Sequence, residues 1–446
     1  MASTYLSRTP SGNNNSVGKW TYSFWIKRNS IGVETNLISF YTDTNNRSAL
    51  RFDADDKLRF YEVASGATTV TKLTNRLFRD VSAWYHIMLA VDKTLGSPET
   101  EIYVNGVEET SFATDDGYTQ NQTGVFNNAI PLTINTESAS VNNPKDITMT
   151  HVHFTDGNKY APTVFGEFNS TSGIWVPKTN PSVTYGTNGF FLKFENSANM
   201  GLDSSGNSNN FTVTGTLTQN IDTPSNNFAT MNTNQSNIAS VSNGNLTATT
   251  SNYQWALATL AANTGKWYVE MKVTHGCMVM GIQDIGKAND RLTVNNTFWY
   301  SGSQSYHLDG FSRVSHDSYG DIANDASAYP TYGSGDIIMM AVNLTDNKLA
   351  YGKNGTWYNS TNPGSGNTNM ISIDAASTNE NGNYGFVFAD TCGASDGTFN
   401  INFGQGFFGT TAVASANADG NGFGAFEYTV PTGYYALCTK NIKEFG

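Results

Sequence analysis

The run Trp20-Thr-Tyr-Ser-Phe-Trp-Ile-Lys-Arg28 decides the fold. Trp20, Tyr22, Phe24 and Ile26 recur at every second position, with Thr21, Ser23 and Lys27 between them. A period of two is that of a strand with one face in a core and the other toward water. Lys266-Trp-Tyr-Val-Glu-Met-Lys-Val273 repeats the pattern, with Trp267, Val269, Met271 and Val273 inward and Lys266, Tyr268, Glu270 and Lys272 outward. Similar strands are predicted at Trp84 to Val91, Glu101 to Val104, Ile147 to Phe154, Phe190 to Phe194, Tyr384 to Phe388 and Phe399 to Phe403. Between them stand Asn105-Gly106, Asn354-Gly355 and Asp309-Gly310, whose residue types accept the positive φ of tight hairpin turns.

No segment carries a sustained helical stripe, a heptad or a collagen-like triplet, so the expected fold class is all-β, with half-buried sheets covering each other in β-sandwiches. A chain of 446 residues exceeds one ordinary domain. The Ser/Asn/Thr-rich stretch from Asp203 through Asn245 marks the joint. The predicted layout is a sandwich over 1–200, a polar linker or domain joint over 201–245 and a second sandwich over 246–446.

Charged residues are 14% and aromatics 13% of the chain, a composition of globular rather than disordered protein. The net charge of -12, from 25 basic and 37 acidic residues, repels phosphate backbones and argues against a nucleic-acid partner. Met1 to Lys19 is polar and no apolar run reaches ~18 residues, so neither a signal peptide nor membrane insertion is expected. The Asn-x-Ser/Thr triplets at Asn121, Asn169 and Asn245 then carry no message. Cys277, Cys392 and Cys438 are far apart and odd in number, and are read as small core residues.

WTYSFWIKR (20–28), WYHIMLAVDKT (84–94) and EIYVNGVEE (101–109) resemble the laminin-G-like, concanavalin A-like jelly roll. KWYVEMKVT (266–274), GDIIMMAVNLTDNKLAYGKNGTWY (335–358) and FNINFGQGFF (399–408) resemble the SPRY domain, also a β-sandwich and usually a binding module without catalysis. The two resemblances imply β-sandwich (jelly-roll) domains in tandem, concanavalin A-like then SPRY-like. A third likeness runs along the whole chain. FTDGNKYAPTVFGEFNSTSGIWVPK (154–178), YGTNGFFLKFEN (185–196), LDSSGNSNNFTV (202–213), DTPSNNFATMN (222–232) and PTGYYALCTKNI (431–442) are similar to bacteriophage virion proteins, notably tail-fibre-like and receptor-binding proteins of marine phages.

Jelly rolls also house glycanases, which set two carboxylates on one strand face about 5–5.5 Å apart for retention. The nearest attempts at that pattern are Asp53 with Asp55, followed by Lys57, and Glu99 with Glu101, followed by Tyr103, and neither completes it. No catalytic residue and no cofactor are therefore expected, although a structural Ca2+ at Asp53 or Asp55 would suit some laminin-G-like domains. Gly393-Ala-Ser395-Asp-Gly397 fits a nucleophile elbow, but a strand pattern follows it where the motif needs a helix. Gly404-Gln-Gly406-Phe-Phe-Gly409 lacks the βαβ setting of a dinucleotide site. His151 and His153 are two apart, on a strand face expected to include Ile147 and Met149, with no third metal ligand in view.

Aromatic loop chemistry remains. Trp299, Tyr300, Tyr306, His307, Trp357 and Tyr358 are the candidate ligand-binding residues, rings set beside amides and hydroxyls near turns. The full-length resemblance implies a virion location, a non-catalytic tail or fibre adhesin binding host-surface glycan or receptor, and other virion structural proteins as partners. It also implies a homo-oligomer, trimeric as in many fibres. The competing readings are a capsid or tail decoration or assembly protein, and a polysaccharide depolymerase.

Overall fold

The strand Lys19–Arg28 lies third in a six-stranded antiparallel sheet, in the order Phe190–Leu192, Ile147–Asp156, Lys19–Arg28, Trp84–Asp92, Glu99–Val104, Val107–Glu108. The coordinates are a computed structural model that describes residues 4–13, 18–140, 143–238, 240–250, 254–287, 304–316, 320–324, 327–391 and 397–446. Trp20, Tyr22, Phe24 and Ile26 are buried as their period requires, in a core completed by an eight-stranded sheet that supplies Leu37, Phe40, Phe52 and Phe60. Trp20 stacks on Phe126 at 4.1 Å between ring centroids. The hairpin turn Asn105-Gly106 has φ of 49° and 79°, the paired left-handed geometry that its residue types predict.

The second sandwich packs a seven-stranded sheet on a nine-stranded one. Lys266–Val273 lies inside the larger sheet, paired with Ile337–Asn343 and Gly397–Asn402. Its Trp267, Val269, Met271 and Val273 join Phe386, Phe388, Phe399 and Ile401 in one core. The fold class is all-β, and the helices among the described residues are short: the α-helix Thr439–Phe445 and 3-10 turns at Pro162–Val164, Tyr358–Ser360 and Ala376–Thr378.

Two compact units emerge, Met1–Gln219 and Asn220–Gly446. Strands from the stretch 201–245, expected as a linker or domain joint, are built into both. Thr212–Thr214 pairs with Tyr5–Arg8 in the first unit, and Met231–Ser236 pairs with Trp255–Ala262 in the second. Within this stretch Asp203 binds main chain, accepting the N–H groups of Phe191, Ser205 and Asn209 at 2.8–2.9 Å.

A second departure concerns the outer sheet faces. Thr21, Ser23 and Lys27 in the first unit, and Tyr268 and Glu270 in the second, are fully buried. Irregular chain covers them. Over the first unit, Tyr160 and Phe165 lie on Met88 and Ala90 of the sheet, and Thr21 bonds both the N–H of Tyr160 and the carbonyl of Asn158. Over the second, Phe426, Val430 and Tyr434 pack on Tyr268, Met339 and Ala341. Each unit thus has three layers, two sheets and a coat of coil.

A β-bulge changes the histidine reading. Thr150 pairs with Trp25 and His153 with Ser23, leaving two residues opposite Phe24, and His151 takes φ 48°. Ile147 and Met149 pack against the core before the bulge, and Val152 and Phe154 enter it afterwards. His153 therefore leaves the face of Ile147 and Met149 for the outer one, where it stacks on Phe191 at 3.9 Å. Cys277 is disulfide-bonded, which corrects its reading as a simple core thiol. Cys438 is a free, buried cysteine, and Cys392 lies outside the described residues.

Candidate functional site

The acids that sequence inspection singled out are engaged structurally. The two oxygens of Asp53 meet Arg51 Nε at 2.9 Å and Arg59 Nε at 2.7 Å, and Asp55 pairs with Lys57 at 3.0 Å. Asp53 thus has both oxygens committed to cations already, a poor basis for a Ca2+ site. Glu99 and Glu101 both pair with Lys159, and Glu101 also accepts from Tyr103 at 2.8 Å. Among the described residues no three of His, Cys, Asp and Glu are grouped to hold a metal ion.

Ser23 and His86 form a nucleophile-like pair, Oγ to Nε2 at 2.8 Å, fully buried on the covered outer face. The indole N–H of Trp175 donates to His86 Nδ1 at 3.0 Å. That fixes the ring proton on Nε2, so His86 donates to Ser23 and cannot take its proton. Burial pushes the His86 pKa down to about 3. The pair stabilises packing of the coat and has no access to a substrate.

Of the six candidate aromatics and histidine, Trp299 and Tyr300 lie outside the described residues. Tyr306 sits in the strand Ser305–Leu308 and in the core, where its oxygen accepts the N–H of Asp374 at 2.9 Å and its ring stacks on His316 at 4.4 Å. His307, on the opposite face of that strand, is also buried. Tyr358 is buried, donates to the carbonyl of Pro330 at 3.0 Å and stands edge-on to Tyr329. All three side chains are buried in packing, and Tyr306 and His307 stand in paired strand where the sequence read as a loop.

Trp357, by contrast, lines an open groove of about 500 Å³. It ends the hairpin turned by Asn354-Gly355, with φ of 49° and 84°. Tyr428, Thr429, Pro431 and Thr432 come from the coil over the nine-stranded sheet, and Asn362 and Ser365 from the loop after Trp357. Two glycines let these segments meet: a Cβ on Gly355 would stand 3.0 Å from the Tyr428 ring, and one on Gly364 2.9 Å from the Thr432 nitrogen. Sequence reading missed the coil residues because no periodicity marks them. Their only signal was the unusual terminal string beginning at Pro431.

Glu270 fixes the coil beneath the groove. Its Oε1 accepts the N–H of Tyr428 and the hydroxyl of Tyr268, each at 2.9 Å. Its Oε2 accepts the N–H of Glu427 at 2.9 Å and the amide of Asn402 at 3.2 Å. Burial outweighs these bonds and pushes the carboxyl up to about 7. Glu62 likewise fixes a segment of the first unit, accepting the N–H groups of Val125 at 2.8 Å and Phe126 at 2.7 Å.

Residues 2–140 match the model of the Concanavalin A-like lectin/glucanases superfamily, which bears out the concanavalin A-like expectation for the first unit. No curated protein matches the chain. Among solved structures, the SPRY domain of human HERC1 is 11% identical over 38% of this chain and 96% of its own, with a TM-score of 0.29. A heptameric SAP-like pentraxin from Limulus polyphemus is 13% identical over 43% of this chain and 88% of its own, TM-score 0.28. Domain 4 of an extracellular arabinanase from Geobacillus stearothermophilus, in complex with arabinotriose, is 16% identical over 33% of this chain and 64% of its own, TM-score 0.24. Over residues 2–140 the first unit is thus similar to concanavalin A-like lectins and glucanases, and the fold is all-β.

Proposed function

We propose that the chain is a bacteriophage virion structural protein, a surface-exposed adhesin of the tail or fibre class that binds host-surface glycan or protein without catalysis. The observation that carries binding over turnover is the groove itself. Its lining offers rings, an amide and hydroxyls, but no carboxylate, imidazole, amine or guanidinium. A depolymerase would need a pair of free acids, and the candidate acids are held in ion pairs. The virion role rests on the likeness of the long strings at 154–178, 185–196 and 431–442 to phage tail proteins. Weak single contacts would be multiplied by copies on a particle, trimeric or otherwise oligomeric, through effective concentration.

Purified protein added in excess should block adsorption of its parent particles to host cells, and antibody should decorate the tail. Unimpeded adsorption with intact oligomer would defeat the adhesin reading. A decoration or assembly protein is the second reading. Val107, Phe168 and Ile174 of the first unit, each more than half exposed, favour it as an apolar contact for another virion subunit. Antibody on the head rather than the tail would support that alternative.

A further inference from the structure

We infer that the groove between Trp357 and Tyr428 is a subsite for an uncharged saccharide, with ring faces for the sugar's C–H surface and Asn362, Thr429 and Thr432 for its hydroxyls. This rests on the binding-protein reading and narrows it from glycan or protein to one ligand class and one place. A volume of about 500 Å³ lies within the ~300–1,000 Å³ of small-molecule sites.

The chemistry of the lining selects the class. Trp357 and Tyr428 are both half-buried, so each is held by its neighbours while part of its surface stays open. Tyr268 braces Trp357 from beneath, edge to face at 6.3 Å, and the Gly355 turn braces Tyr428. Rigid rings of this kind give contact area at little entropic cost. Asn362, Thr429 and Thr432 are exposed, and among the described residues their side chains make no hydrogen bond, nor do the Trp357 indole N–H and the Tyr428 hydroxyl. Donors and acceptors are therefore mixed and available, which suits sugar hydroxyls that do both. An anionic ligand such as a phosphate, sulfate or uronate would find no lysine, arginine or histidine in the lining. A peptide adding as a strand would need a longer template than Thr356–Trp357, the two-residue strand at this end of the nine-stranded sheet.

The anchor at Glu270 adds preorganisation. It holds the main chain at Glu427 and Tyr428, so this wall of the groove is fixed before any ligand arrives.

The test uses the full chain on immobilised oligosaccharides, neutral hexose and N-acetylhexosamine oligomers beside uronate, sulfated and sialylated ones, with ligand-observed NMR for weak binders. Neutral oligomers should bind, unaffected by salt. Trp357→Ala should weaken binding about tenfold, the equivalent of ~1.4 kcal/mol. Because Trp357 also braces the hairpin, Asn362→Ala and Thr432→Val serve as second variants: their exposed side chains hold nothing in place, and each should cost about two- to tenfold. Selective binding to anionic oligomers, binding to host protein that protease treatment abolishes, or no neutral oligomer bound at about millimolar concentration would overturn the inference. So would neutral binding left intact in all three variants. If the chain adsorbs to cells and groove variants adsorb equally, the inference fails while the adhesin survives. If neutral oligomers bind through the groove but cells do not, the adhesin fails while the inference stands.

Discussion

Glu270 should give the second unit a pH dependence that a single amide substitution erases. The carboxyl is fully buried with four donors and no cation among its recorded hydrogen-bond partners, and it titrates near 7 against an ordinary 4.5. The folded protein holds this proton more tightly than the unfolded chain does. Its contribution to stability is fully present below about 4.5 and is lost as the pH rises through about 7. At about 1.4 kcal/mol per pH unit the whole swing is about 3 kcal/mol. Glu270→Gln removes the titration. Its amide nitrogen would also face the N–H of Glu427 and the amide of Asn402, which cannot turn its oxygen inward because that oxygen already accepts from Gly404 and Gly406 at 2.9 and 3.0 Å. Unpaired buried donors cost about 1–3 kcal/mol. The assay is hydrogen exchange of the full chain at pH 5 and pH 8, corrected for intrinsic rates and read on peptides within 266–273, since a two-unit chain need not open in one step. Wild type should protect this strand more at pH 5, and the variant should lose the difference. A variant that keeps the wild-type slope, or a wild type more protected at pH 8, refutes the reasoning.

The first unit should respond to acid with the opposite sign. Burial lowers His86 to about 3 and His151 to about 4, so their stabilising contribution, present above 6.5, drains away as the pH falls through those values; peptides from Lys19–Arg28 should be less protected at pH 5 than at pH 7 once intrinsic exchange rates are corrected for. Trp175→Phe strips His86 Nδ1 of its donor and should cost about 1–3 kcal/mol in denaturant unfolding, with loosened protection over 84–92 as the checkable sign. Gly355→Ala places a side chain at φ 84° and 3.0 Å from the Tyr428 ring, and should reduce binding in the groove by about the same tenfold as Trp357→Ala. Thiol labelling should find Cys438 slow in the native state and quick in denaturant, whereas Cys277 should stay unlabelled in denaturant until reductant is added.

The strands were legible because Trp20 to Ile26 and Trp267 to Val273 each keep a strict period of two, and burial of that face needs no further information. What lay over the other face was not legible. Thr21, Ser23, Tyr268 and Glu270 read as solvated because polar side chains normally are, and nothing in an unperiodic coil announces that it will supply their partners. The bulge at His151 was equally hidden, since one extra residue shifts the alternation without a glycine to mark it. For the site, Trp357 could be found from its place at the end of a turn. Tyr428 and Thr432 could not, because they reach it from a segment distant in sequence, brought there by a buried acid.

Glu62 and Glu270 grip their segments through pairs of consecutive main-chain N–H groups, at Val125 and Phe126 and at Glu427 and Tyr428. An N–H belongs to every amino acid except proline. Val125 and Phe126 are held by the core as well, but at Glu427 and Tyr428 the side chain can be exchanged without loosening the clasp, and at 428 the exchanged group would stand in the groove wall. The fold thereby separates what holds the rim in shape from what the rim displays, an arrangement open to rapid diversification of recognition on an unchanging frame.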